Sequence, residues 1–186
     1  MTARVVLQWP NPNLIKKSEP IAASDLEIEG LAEDLYHTMI TSFGAGIAAP
    51  QVGVHKKMCV ISSAYVPSLR VDPFKDIHDC VVLINPEICP LDQKKFVWEE
   101  ACLSVPGIQS RVERHKNVTL KYTNLSGEQI TADLSDIESG TVQHEVDHLD
   151  GKLFIHRLKG LSRMLAMKSL RKSILKNKKN KKKNKS

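Results

Sequence analysis

Two histidines four residues apart, His144 and His148, constrain this chain more than any other feature of its sequence. On an α-helix that spacing puts both imidazoles on one face, where they can chelate a single metal ion. Glu145, next to the first histidine, is then placed to take a proton from a water held by that ion. The competing reading is a helix with two surface histidines. Placement argues against it: the motif begins two turns after a capping box, Ser135 with Glu138, and ends just before Gly151, which suits a helix C-cap. The sequence therefore predicts a helix from about Ser135 to Leu149.

The elements around it can be read from periodicity. Val118, Leu120 and Tyr122 alternate with polar residues, as do Ile130, Ala132 and Leu134, and Asn124-Leu125-Ser126-Gly127 between them is turn chemistry, so an antiparallel hairpin is expected. Met58 to Ile61 and Val81 to Ile84 are short apolar strands, with a long surface loop over 62–79 between them. Ser24 with Glu27 is a second capping box, and Ile28, Leu31, Leu35 and Met39 follow at helical spacing, predicting an amphipathic helix over 25–41. Phe43 to Gly53 has three glycines and a proline, so loop or irregular strand is expected there. A last helix should start near Ser162, with Leu161, Leu165 and Leu170 as its apolar face. Strands followed by helices without regular alternation indicate an α+β class: a single domain of antiparallel β-sheets around a central helix carrying the His-Glu-x-x-His motif, closed by a C-terminal helix and a basic tail.

At 186 residues the chain suffices for one domain with a sizeable core. Its formal net charge of +6 is a property of the tail. Residues 175–186 carry seven lysines and no acid; taking these seven from the 27 basic residues leaves 20 against 21 acidic. The expected division is a catalytic domain over 1–170 and a lysine-rich, disordered tail over 171–186, either merely solvated or bound to an anionic partner. No run approaches the roughly 18 apolar residues of a membrane span, and the first ten residues lack the pattern of a signal peptide. A cytoplasmic location follows, with no membrane or DNA partner. In that compartment the four cysteines are expected to be free, with Cys59, Cys80 and Cys89 as small buried hydrophobes.

A catalytic metal needs a third protein ligand and an open position. The metzincin signature would put a third histidine at position 154, which is Phe154, so that pattern fails at its defining ligand. The third ligand should then come from elsewhere in the chain, and Cys102 is a candidate. On position alone a further buried thiol is the simpler account of it.

Three separated segments resemble the signature motifs of peptide deformylases. Gly44-Ala45-Gly46-Ile47-Ala48-Ala49-Pro50-Gln51 is similar to the first motif, Glu100-Ala101-Cys102-Leu103-Ser104 to the second, and Gln143-His144-Glu145-Val146-Asp147-His148-Leu149 to the third, in the same order over residues 5 to about 165. Ala101 stands where the second motif has glycine. The resemblance implies a hydrolase that removes the formyl group from the N-terminal formyl-methionine of new polypeptides. It implies Cys102, His144 and His148 as ligands of one divalent ion, Fe2+ preferred and Zn2+, Ni2+ or Co2+ able to replace it. Glu145 becomes the general base, and the Gln51 amide and the Leu103 backbone N–H the donors to the oxyanion. Glu100 and Gln143 are expected to orient ligands, and Gly44, Gly46 and Ile47 to border the substrate. Ile137, Gly140 and Thr141, on the metal-facing side of the motif helix, are expected to line the pocket for the first side chain, Gly140 by leaving room or else by close packing. The basic helix and tail suit docking on the ribosome. Two other classes remain as alternatives: a zinc endopeptidase, and a basic RNA-binding module with a structural metal.

Overall fold

In the computed structural model, residues 2–22, 25, 27–71 and 77–183 are described. Helix α1 (Ile28–Thr41) leads into strand β1 (Gly46–Ala48), a 3-10 turn (Ala49–Val52), β2 (Met58–Ser62) and β3 (Cys80–Pro90). Next come β4 (Lys95–Ala101), β5 (Gln109–His115), β6 (Asn117–Thr123) and β7 (Gln129–Ser135), then helices α2 (Asp136–Leu149), α3 (Phe154–Arg157) and α4 (Gly160–Lys183). Five strands form one antiparallel sheet in the order β1-β2-β3-β6-β7, and β4 pairs with β5 as a separate hairpin. The α+β class with a central motif helix is what the sequence predicts.

The continuous apolar runs of β2 and β3 follow from burial on both faces. Met58, Val60, Val82 and Ile84 meet Leu31, Leu35 and Met39 of α1. Their neighbours Cys59, Ile61, Val81 and Leu83 point the other way, onto Val142 and Leu149 of α2, together with Leu120, Tyr122 and Leu134. Burying a side chain such as Leu149 is worth about 1.5–3 kcal/mol. The motif helix is thus held by apolar contacts on one face while its histidine face looks toward the β4–β5 hairpin. A third cluster joins Leu14, Val105, Val112 and Phe154 to Leu158, Ala166 and Leu170.

Several local expectations are corrected. The Ser135–Glu138 box does not form: Ser135 makes no side-chain cap bond, and Asp136 takes a left-handed φ of 50°. Glu138 instead accepts from the backbone and hydroxyl of Ser68, at 2.7 and 2.9 Å. Gly151 does end α2, with φ 70°, and a Cβ there would lie 2.5 Å from the Ile15 carbonyl oxygen. Ser24 lies outside the described residues, and α1 begins at Ile28 rather than 25. The 62–79 segment is anchored by buried Val66, Leu69 and Ile77 and is not simply a surface loop. Cys89 is exposed, near the end of β3 where the sheet runs out into solvent. Among the described side chains of α4 the buried ones are Ala166 and Leu170, four apart, whereas Leu161 and Leu165 are exposed, because Leu170 lies five positions from Leu165 and not on its stripe. The α4 backbone continues into the segment expected to be disordered, where lysine, a good helix former, meets no glycine or proline. Among the described residues no helix is long and apolar enough to cross a membrane.

Candidate metal centre

Cys102 immediately follows β4, and α2 delivers His144 and His148 one turn apart. The sulfur and one nitrogen of each ring all lie within 4.8 Å of one another. Cys102 Sγ is 3.3 Å from His148 Nε2, and the two imidazoles meet edge to face with centroids 5.1 Å apart. Phe154, in the position that excluded the metzincin pattern, stacks on His144 at 6.3 Å. Soft sulfur with two imidazoles is a donor set suited to a transition metal or zinc. The residues fit such an ion in a further respect. Glu145 Oε2 is buried beside the cluster and His148 Nδ1 behind it, each without a hydrogen-bond partner among the described residues.

One carboxylate orients the cluster. Glu100 Oε2 accepts from His144 Nδ1 at 2.7 Å, which leaves Nε2 for the sulfur side. Arg114 grips the same carboxylate through Nε and Nη2 at 2.7 and 2.9 Å, and its Nη1 donates to Asp147, which also pairs with Arg157. Burial pushes the Glu100 carboxyl up, but hydrogen bonds from His144 and Arg114 outweigh it and hold the group down at about 2. Glu145 has no such donors. Burial, with the charge of Glu100 added, raises it to about 7 against the pull of His144 and Arg114. Burial likewise pushes His148 well below its usual value; burial pulls His144 the same way, but its hydrogen bonds with Cys102 and Glu100 outweigh this and raise it.

A cavity of about 810 Å³ opens beside the cluster, lined among others by Gly44, Gly46, Gln51, Trp98, Cys102, Thr141 and Glu145. Gln51 is 2% exposed; its Oε1 accepts from Ala48 N–H at 2.8 Å, and its Nε2 donates to Ser104 Oγ at 3.1 Å and lies 3.6 Å from Cys102 Sγ. The amide donor therefore points at the ligand cluster. Leu103 lines the cavity and its side chain fills the space where Gly44 has no Cβ. Ala101 sits there without a left-handed φ, so the methyl in place of glycine is accommodated.

Other expected site residues lie elsewhere. Ile47 is fully buried in the α1-facing core, because β1 alternates and turns it inward. Ile137 is 56% exposed, outside the cavity. Gly140 does not line it either; the indole of Trp98 lies where its side chain would be. Gln143 binds no ligand side chain: it bonds the backbone of His115 in both directions, at 3.1 and 2.8 Å, and clamps α2 to the end of β5. Trp98 and Asp147 were not singled out from the sequence. For Trp98 a signal existed, since strand alternation puts it on the same face as Glu100.

Comparison with known proteins identifies the family. The family model described as polypeptide deformylase matches residues 3–164. The peptide deformylase of Acidobacterium capsulatum is 37% identical over 172 residues, covering 92% of this chain and 96% of that protein. The crystal structure of a peptide deformylase from Legionella pneumophila superposes with a TM-score of 0.78 at 33% identity, over 95% of this chain and 98% of that one. A class I type b peptide deformylase from Acinetobacter baumannii, solved with Met-Ala-Ser bound, gives 0.73 at 33% identity over 84% and 99%. This chain belongs to the polypeptide deformylase family, metal-dependent hydrolases that remove the N-formyl group from nascent polypeptides.

Proposed function

We propose that Cys102, His144 and His148 hold one divalent ion and that Glu145, Gln51 and Leu103 carry the deformylation of formyl-methionyl chains around it. The observation that supports this most is the convergence of one sulfur and two imidazoles within 4.8 Å beside a buried, unpartnered carboxylate oxygen. The ion, when bound, supplies Lewis acidity toward a water and the formyl oxygen. Glu145 accepts the proton from the attacking water. A carboxyl raised to about 7 by burial suits both this step and the return of the proton to the leaving amine nitrogen. The Gln51 amide and the Leu103 backbone N–H donate to the oxyanion that forms at the formyl carbon. One such donor contributes about 2.7–4 kcal/mol. The substrate backbone runs along β1, an edge strand whose outer side is free to pair with a second chain and whose first residue borders the cavity. The Acinetobacter relative was solved with Met-Ala-Ser bound, a peptide that begins with methionine as the product of this reaction does.

Ferrous iron is our choice for the ion, on the family resemblance; sulfur-nitrogen coordination alone would suit zinc, and nickel or cobalt fit the same donors. We place the reaction in the cytoplasm and assign residues 171–186 to docking on the ribosome through their lysines. Formylated and acetylated versions of one methionyl peptide, offered to anaerobically purified protein with its metal content measured, test the reading. Release of formate alone supports it, whereas cleavage of internal peptide bonds would favour an endopeptidase.

A further inference from the structure

The β4–β5 hairpin stands apart from the main sheet, and among the described residues β5 has no strand on its outer edge. Which backbone groups face that edge follows from the ladder. Lys116 N–H donates to the Lys94 carbonyl, and along an antiparallel ladder hydrogen-bonded pairs recur at every second residue. Residues 114, 112 and 110 therefore bond to β4, while His115, Glu113 and Arg111 turn their N–H and C=O groups outward. At His115 these outward groups are taken. The Gln143 amide accepts from its N–H at 3.1 Å and donates to its carbonyl at 2.8 Å, as a neighbouring strand would. The outward groups of Glu113 and Arg111 have no such partner among the described residues.

Beside this edge lies a second groove of about 550 Å³, which shares no lining residue with the catalytic cavity. One wall is β5, and the other runs from Lys152 through Arg157 and Lys159 to the start of α4. Glu113 is the one acid among the described residues that line it, against Lys95, Arg111, Lys152, Arg157 and Lys159. Arg157 and Lys152 have acids beside them, Asp147 and Asp150. Arg111, Lys159 and Lys95 have none among the described residues. Charged side chains commonly guard an edge strand against pairing. Charges of one sign on both walls of a groove also select a partner of the opposite sign. We infer that this groove docks an extended acidic peptide segment of a partner protein, which adds to β5 as a further strand. Its backbone pairs with the N–H and C=O groups of Arg111 and Glu113, and its acidic side chains, at alternate positions, reach the cations of the walls. The edge offers donors and acceptors in alternation, which a peptide matches. The phosphates of a nucleic acid would use the donors alone and leave both carbonyls unpaired.

This docking site stands apart from the deformylase reading, and its test needs no turnover. The full-length, metal-loaded protein is titrated with a fluorescent octapeptide of alternating glutamate and threonine, acetylated and amidated at its ends, and binding is read by anisotropy. A twin peptide with N-methylated backbone keeps every charge and loses the amide donors; it should bind about tenfold more weakly or worse. Amide hydrogen exchange at Arg111 and Glu113 should slow about tenfold or more when the first peptide saturates the protein. Arg111→Glu and Lys159→Glu, both at exposed positions, should each weaken binding about tenfold while Tm stays near that of the parent protein. Should either variant fail to fold, Arg111→Gln or Lys159→Gln replaces it, with the same direction expected. Binding that survives N-methylation or both charge reversals would mean that the lysine tail or another basic patch holds the peptide, and it overturns the docking site. Binding without slowed exchange at Arg111 and Glu113 overturns it as well, as does no binding up to about 1 mM peptide. If an oligouridylate displaces the peptide and protects the same two amides, the groove is a nucleic-acid surface and the peptide reading falls.

Discussion

Gly46 has no side chain because Glu145 lies against it: a Cβ at Gly46 would come within 2.5 Å of Glu145 Oε1 and 2.9 Å of its Cδ. The atoms it would strike are the end of a flexible side chain, so folding can adapt by turning Glu145 away. Catalysis cannot adapt in the same way, since the base must stay within reach of the reacting water. Gly46→Ala should therefore melt close to the parent protein and keep its metal, while kcat falls by about a hundredfold or more. A normal kcat together with a normal Tm would show that Glu145 works from another position.

Glu145→Gln asks a different question of the same group. The amide keeps the shape and cannot take a proton, so metal content should be unchanged and kcat should drop by roughly 10²–10⁴. Near-normal turnover, with metal verified, would remove Glu145 from the mechanism.

Much of this site is legible in the sequence because its chemistry is local. His144, Glu145 and His148 share one helix, and the strand alternation of 118–134 is visible without any partner. What escapes is decided by residues far apart in the chain. Glu138 reads as half of a capping box until Ser68, seventy positions away, takes both its oxygens. Gly140 reads equally as room for substrate or as close packing on a neighbouring strand, and only Trp98 from β4, more than forty positions away, decides for packing. Gln143 beside a ligand reads as a group that orients ligands, but its partner is the backbone of His115. Ile47 inside a signature motif turns its side chain to the core because a strand alternates. Motif membership fixes the backbone position of such residues and not the direction of their side chains.

Arg114 is fully buried, and so are the carboxylates of Glu100 and Asp147 that it joins, at 1% and 6% side-chain exposure. Arg114→Met would leave both acids inside without their shared cation, at a cost of about 3 kcal/mol or more. That corresponds to a fall in Tm of roughly 6–12 °C in a chain of this size. The pH dependence has a definite sign. Glu100 is held at about 2, below its usual 4.5, so the stability this contributes is complete above 4.5 and is lost as pH falls toward 2. The Tm gap between parent and variant should be widest near neutrality and narrow across that window. A gap that does not change between pH 7 and pH 3 would mean that the charge of Glu100 is not what Arg114 stabilises.

Among the described side chains of α4 the buried ones are Ala166 and Leu170, whereas Arg171, Lys172 and Leu175 beyond them are exposed. Truncation after Leu170 keeps Ala166 and Leu170 in their cluster with Phe154 and Leu158, and activity on short peptides should stay intact. If the lysines dock on ribosomal RNA, co-sedimentation with ribosomes should fall on truncation, and in the full chain it should weaken steeply with salt. Unchanged co-sedimentation would make the tail a solubilising extension.

The four cysteines provide their own controls for the metal assignment. Cys59 and Cys80 are buried, Cys89 is exposed, and Cys102 is half-buried at the cluster. A thiolate that ligates an ion is shielded from alkylation, and chelation should free it. Iodoacetamide should thus label Cys89 in the metal-loaded protein and in the chelated protein alike, leave Cys59 and Cys80 untouched in both, and label Cys102 only after chelation, as read by peptide mass spectrometry. Oxidation of Cys102 removes the same electron pair, so air should release metal and activity together, at rates that match the appearance of oxidised Cys102 peptide. Equal labelling of Cys102 before and after chelation would make it a structural thiol and leave His144 and His148 in need of another third ligand.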